Sequence, residues 1–176
     1  MAKFVPQEEL SLTDQMRIRR EKLTQLQSEG KNPFAQTRFE TNTTSEEIKN
    51  HFDEMEGKPV SLAGRIMTKR GMGKVLFCDL QDAAGRIQLY VKFDEMPEEQ
   101  FNDFRKYDIG DIVGVHGDVF RTQRGEISVR VHEQTLLTKA LLPLPDKFHG
   151  LTNLETRYRQ RYVDLIVNPN VKDTFI

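Results

Sequence analysis

Hydrophobic and polar positions along the chain follow two different periods. From residue 58 to residue 139 the period is two. Val60, Leu62 and Ile66 alternate with Ser61, Ala63 and Arg65, and Leu76, Cys78 and Leu80 alternate with Val75, Phe77 and Asp79. Ile87, Leu89, Val91 and Phe93 alternate with Arg86, Gln88, Tyr90 and Lys92. Val113, Val115 and Val119 mark a fourth run, and Ile127, Val129 and Val131, set against Glu126, Ser128, Arg130 and His132, mark a fifth. This alternation is the pattern of strands with one buried face. The runs are separated by Gly71-Met72-Gly73, Ala84-Gly85 and Arg124-Gly125, which have turn chemistry.

The rest of the chain has helical spacing. Residues 11–29 predict a helix with Ser11 and Asp14 at capping-box spacing, and with Leu12, Met16, Leu23 and Leu26 near one face. Arg17, Arg19, Arg20 and Lys22 crowd its other faces, and Gly30 and Asn32-Pro33 stop it. Residues 43–55 predict a short acidic helix capped by Thr43 or Thr44, with Ile48, Phe52 and Met55 turned inward. Between the third and fourth strands, MPEEQFNDFRKYDIGD predicts a helix from Pro97 to about Lys106, with Pro97 in its first turn and Phe101 and Phe104 facing in. A last helix is expected over about 154–167, with Leu154, Tyr158, Tyr162, Leu165 and Ile166 available for burial and Asn168-Pro169 ending it.

Three strands, a helix and two strands is the order of an OB-fold. The expected fold is therefore mainly β with helices: a five-stranded Greek-key barrel preceded by N-terminal helices and followed by a linker helix. The expected divisions are a helical extension over 1–57, the barrel over 58–139 and a linker segment over 140–176.

Composition narrows the setting. A single cysteine, Cys78, rules out an internal disulfide, and MAKFVPQEEL lacks the apolar core of a signal peptide. No apolar run reaches the roughly 18 residues of a membrane span. A cytoplasmic protein is expected, with no membrane association. The formal net charge is −1, so indiscriminate coating of nucleic acid is excluded. Charge is nevertheless segregated: Arg65, Lys69, Arg70 and Lys74 fall within residues 65–74 without an acid, whereas 46–56 holds Glu46, Glu47, Asp53, Glu54 and Glu56. A local positive field suits a localised anionic partner.

If the aliphatic residues fill the barrel, alternation places Arg65, Phe77, Gln88, Tyr90 and Glu126 on its outer face, flanked by Arg86 and Lys92. A base can stack on Phe77, Gln88 and Arg65 can hydrogen-bond to its edge, and Lys69, Arg70 and Lys74 can hold phosphates. Arg17 and Arg20 on the first helix are further candidates for backbone contact. Ionised Glu126 only accepts hydrogen bonds, so it favours a base edge offering an N–H. The pattern equally permits Phe77 to pack beneath a loop and Arg65 to pair with Glu126. Gly71-Met72-Gly73-Lys74 is not a phosphate-binding loop, because position 68 is Thr and position 75 is Val, and it joins two strands. His51, His116, His132 and His149 show no metal-ligand spacing, and no catalytic site or metal site is expected in this chain.

The stretches GRIMTKRGMGKVLFCDLQDAAGRIQLYV and GDIVGVHGDVFRTQRGEISV resemble the anticodon-binding domain of bacterial class II lysyl-tRNA synthetases. So do DQMRIRREKL, NPF at 32–34, and LTKALLPLPDKFHGLTNLETRYRQRYVDLI, so the resemblance runs through essentially the whole chain. It implies that Phe77 stacks on the central anticodon uridine, that Gln88 and Arg65 hydrogen-bond to it, and that Glu126 helps to read the neighbouring uridine. It also implies a truncated chain, ending before the class II catalytic motifs and inactive in aminoacylation by itself. ATP, Mg2+ and lysine would belong to a full-length lysine–tRNA ligase, a homodimer acting on tRNA(Lys). Two alternatives stay open at this point: a free-standing OB module binding single strands or a protein partner without base choice, and a fragment whose 154–167 helix docks a catalytic partner.

Overall fold

The computed structural model describes residues 11–145, 151 and 153–175; His149 lies outside them. Residues up to Leu141 form one compact unit and those from Leu142 onward a second.

In the first unit the period-two segment closes into a barrel. Its strands are β1 (Pro59–Met72), β2 (Val75–Gln81), β3 (Arg86–Lys92), β4 (Ile112–Arg121) and β5 (Ile127–Thr138). They pair in the order β1-β2-β3-β5-β4, with β4 returning to β1. All pairs are antiparallel except β3 with β5. This is the OB-fold arrangement. Leu62, Ile66, Leu80, Leu89, Val91, Val113, Val115, Val119, Val129 and Val131 are essentially inaccessible and form the core. Each such side chain stabilises the fold by about 1.5–3 kcal/mol relative to exposure.

Helices close the open regions of the barrel. Helix α2 (Ser45–Asn50) is capped by Thr44, whose side chain accepts from the Glu47 N–H. The acidic segment is interrupted at His51, so α2 and α3 (Phe52–Met55) replace the single helix expected over 43–55. Ile48 and Phe52 are buried as expected. Helix α4 (Glu98–Lys106) buries Phe101 and Phe104, and Phe93 packs edge-on against Phe101 with centroids 5.4 Å apart. Pro97 stands as its cap, one position before the first turn.

Helix α1 (Leu12–Ser28) starts at Ser11, whose side chain accepts from the Asp14 N–H. Its apolar stripe docks in part, with Leu26 packed against the core. Leu12 is exposed, and the buried residue is Arg19, whose Nη1 donates to the carbonyls of Ile109 (3.0 Å) and Ala140 (3.1 Å). A guanidinium can serve several carbonyls at once, which an aliphatic side chain cannot.

The second unit holds α5 (Leu154–Arg159), α6 (Arg161–Val167) and α7 (Pro169–Phe175). The single helix expected over 154–167 is broken at Gln160, and Pro169 opens a further helix. Leu154, Tyr158 and Tyr162 are exposed, and Val163 and Asp164 are buried instead. Asp164 accepts from Arg157 Nε (3.0 Å), Asn168 Nδ2 (2.6 Å) and Arg161 Nη1.

Candidate nucleic-acid interface

Strand register assigns every outward side chain to a row across β1, β2 and β3. Arg70, Phe77 and Tyr90 form one row, and Thr68, Asp79 and Gln88 form the next. Arg65, Gln81 and Arg86 form a third. A bulge in β1 between Ile66 and Thr68 explains the uneven spacing on that strand. The extra residue there, Met67, is buried, and the outward phase passes from Arg65 to Thr68 and Arg70.

The bulge keeps Arg65 on the outer face with Phe77, but the register sets the two residues apart. Phe77 lies beside Arg70, and Arg65 lies opposite Gln81, four residues further along β2. At strand rise that is roughly 13 Å. The half-buried Arg65 guanidinium donates to the Gly110 carbonyl at 2.8 Å, and burial lowers its pKa against the opposing charge of Asp111. Glu126 is not its partner.

The Phe77 ring is half-buried and covered on one side by Tyr90, with centroids 5.3 Å apart and planes at 56°. Tyr90 continues to Phe120 at 5.6 Å, and the Arg130 guanidinium lies 4.9 Å from the Phe120 centroid. Three rings and a cation thus form a continuous outer platform on β2, β3, β4 and β5. Alternation alone puts Phe77 and Tyr90 on one face. Alternation also turns Phe120 outward, next to the buried Val119, but only the β4–β5 register brings that ring to the platform, opposite Ser128.

Gln88 is mostly buried beside this platform, and its Oε1 accepts from the Ser128 hydroxyl at 3.1 Å. Glu126 is exposed just before β5. Its backbone is fixed by the Thr122 N–H to its carbonyl (2.9 Å) and by its own N–H to Thr122 Oγ1 (3.0 Å). Its carboxylate makes no hydrogen bond or ion pair among the described residues.

The candidate phosphate contacts separate into two groups. Arg70 and Lys74 are exposed on the β1–β2 hairpin, with Lys74 Nζ 5.0 Å from the Phe93 ring centroid and 3.7 Å from Asp94. Lys69 points elsewhere. Its Nζ donates to the carbonyls of Phe104 (2.9 Å), Arg105 (2.7 Å) and Tyr107 (2.7 Å), capping the C-terminus of α4. Burial lowers its pKa to about 8. A neutral amine has only two protons for these three acceptors, so the carbonyls favour the ammonium form. Arg17 pairs with Glu21 (2.8 Å) and Arg20 is exposed, both on α1.

Cys78 points into the core and burial pushes its thiol up to about 12. Asp82 organises the β2–β3 turn, accepting from the N–H groups of Ala84 and Gly85 and from Ser45. Among the described residues no three His, Cys, Asp or Glu side chains gather as metal ligands. No described helix is long and apolar enough to cross a membrane.

A stacking platform on an OB barrel, flanked by an amide, a carboxylate and exposed cations, can bind single-stranded nucleic acid. Comparison with known proteins agrees. The tRNA anticodon family model, described as an OB-fold nucleic acid binding domain, matches residues 60–137. Among curated relatives, a lysine–tRNA ligase of Halalkalibacterium halodurans is 52% identical over 96% of this chain, which spans 35% of that protein. Lysine–tRNA ligases of Clostridium perfringens and a Thermoanaerobacter species are 50% and 52% identical over 96% and 94% of the chain, covering 34% and 33% of their own lengths. The chain thus spans about a third of the relatives it matches. The chain is therefore similar to about a third of the length of the lysine–tRNA ligases, and its barrel matches the OB-fold nucleic acid binding domain model.

Proposed function

We propose that the face carrying Phe77, Gln88 and Glu126 receives the anticodon loop of tRNA(Lys) for a cytoplasmic lysine–tRNA ligase. The observation that carries this reading is the Phe77–Tyr90–Phe120 platform with Gln88 at its side. The central anticodon base stacks on the free side of Phe77, Gln88 hydrogen-bonds to its edge, and Glu126 accepts an N–H from a neighbouring base. Arg70 and Lys74 hold the loop backbone. Arg65 supports the site at a distance, tying the middle of β1 to Gly110. Homodimer formation belongs to this proposal for the full-length enzyme, and so does its use of ATP, Mg2+ and lysine.

The test is binding of a UUU anticodon stem-loop to wild type and to Phe77→Ala. Base–aromatic stacking is worth roughly 1–3 kcal/mol, so the variant should bind about 5- to 150-fold more weakly. Unchanged affinity would remove Phe77 from the site. Equal affinity of wild type for loops of unrelated sequence would mark a surface without base choice.

A further inference from the structure

Gln88 can read a base with either end of its amide, and which end faces outward decides what it reads. A carboxamide offers two N–H donors on one side and an acceptor oxygen on the other. The β3–β5 pairing places Ser128 directly opposite Gln88. Ser128 is fully buried, and its Oγ lies 3.1 Å from Gln88 Oε1 and 3.3 Å from the Glu126 carbonyl oxygen. A hydroxyl has one proton to give. The Glu126 carbonyl already accepts the Thr122 N–H at 2.9 Å. Gln88 Oε1 has no other donor among the described residues. The shorter contact assigns the proton to Gln88, and its Nε2, which makes no hydrogen bond among the described residues, is left as a pair of donors on the opposite side of the amide.

We propose that Ser128 is a positioning residue for base choice: by holding Gln88 Oε1 inward, it presents the amide NH2 to the bound base and selects a carbonyl edge. Uracil carries a carbonyl oxygen at position 4, where cytosine carries an amino group. An outward NH2 accepts the first and confronts the second donor to donor. This inference rests on the proposed anticodon site. It adds a buried serine, absent from the binding surface itself, as the element that sets the preference for U over C.

The experiment measures the affinity of the full chain for UUU and UCU stem-loops, with Phe77→Ala as a control for the site. Wild type should prefer UUU by about tenfold, as expected for one satisfied against one repelled hydrogen bond. Ser128→Ala frees the amide to turn its oxygen outward, so the ratio should fall to within about threefold, chiefly through tighter UCU binding. Ser128→Thr, which keeps the hydroxyl, should restore the ratio. Gln88→Glu presents only acceptors and should reverse the preference towards UCU, a readout that stands even if Ser128→Ala folds poorly. A wild-type ratio retained in Ser128→Ala, or a UUU preference retained in Gln88→Glu, would overturn the proposal. Equal wild-type binding of both loops with a weakened Phe77→Ala would overturn it while leaving the stacking site intact. Unchanged binding by Phe77→Ala would remove the site as well.

Discussion

Lys69 and Arg70 are adjacent, equally basic in sequence and opposite in structure. The β1 bulge sends Arg70 outward beside Phe77 and leaves Lys69 beneath α4, where its ammonium serves three carbonyls. The two should separate experimentally. Each phosphate contact contributes about one unit to the slope of log affinity against log salt. Arg70→Gln should lower that slope for a UUU stem-loop by about 0.7–0.9 without changing the melting temperature. Lys69→Met should leave the slope unchanged and lower stability by about 1–3 kcal/mol, because helix-end carbonyls lose their donor. A slope altered by Lys69→Met and not by Arg70→Gln would reverse the assignment.

The β1–β2 hairpin shows how an element sets the geometry of the site. Its two glycines act through different physics. Gly73 has φ +63, in the left-handed region, with open space around the position of a Cβ. A Cβ on Gly71 would stand 2.3 Å from the Val75 carbonyl oxygen and 2.8 Å from Leu76 Cα. Gly71→Ala must therefore spread the strands that carry Arg70 and Phe77. It should cost about 1–3 kcal/mol in urea unfolding and weaken stem-loop binding with it. Gly73→Asn, suited to positive φ, should cost under about 1 kcal/mol. Equal midpoints for the two variants would contradict this account. The same hairpin marks what sequence could reveal. Five strands, their inner faces and the α4 phenylalanines were legible because burial imposes a local period on side chains. The extra residue between Ile66 and Thr68 was not, since a bulge is fixed by the partner strand and leaves the local pattern readable as plain alternation. The Ser128–Gln88 contact depends on parallel pairing of β3 and β5 across α4, a long-range fact with no local signature. Arg19 resembles any other arginine of a solvated helix until the carbonyls that it meets are known.

At the scale of the barrel unit, the loop between α4 and β4 gathers cations from three distant parts of the chain. Arg19 and Lys22 come from α1, Arg65 and Lys69 from β1, and Lys139 from the residue after β5. Lys139, Asp108 and Asp111 are almost wholly buried. Lys139 Nζ lies 2.6 Å from Asp108 and 2.8 Å from Asp111, whose carboxylate also accepts the Ala140 N–H at 2.8 Å. This cluster pins the point where the chain leaves the barrel to the loop that starts β4. Burial raises the Asp108 carboxyl, but Lys139 and Lys22 together outweigh burial and hold it well below the usual carboxylate range. The unfolded chain, with an ordinary carboxyl near about 3.9, takes up the proton first on acidification. Asp108 therefore contributes its stability above about pH 4, and that stability is lost as pH falls towards the folded value. Wild type should lose up to about 1.4 kcal/mol per pH unit through this group below about pH 4. Asp108→Asn should be less stable at neutral pH, since the buried Lys139 ammonium keeps only Asp111, and should show a correspondingly shallower acid slope. The check is urea unfolding at a series of pH values from about 7 to about 2.5, spanning the ordinary carboxylate range. Parallel acid slopes for the two proteins would show that Asp108 is not held charged by Lys139 and Lys22, and the buried cluster would have to be read as neutral at that position.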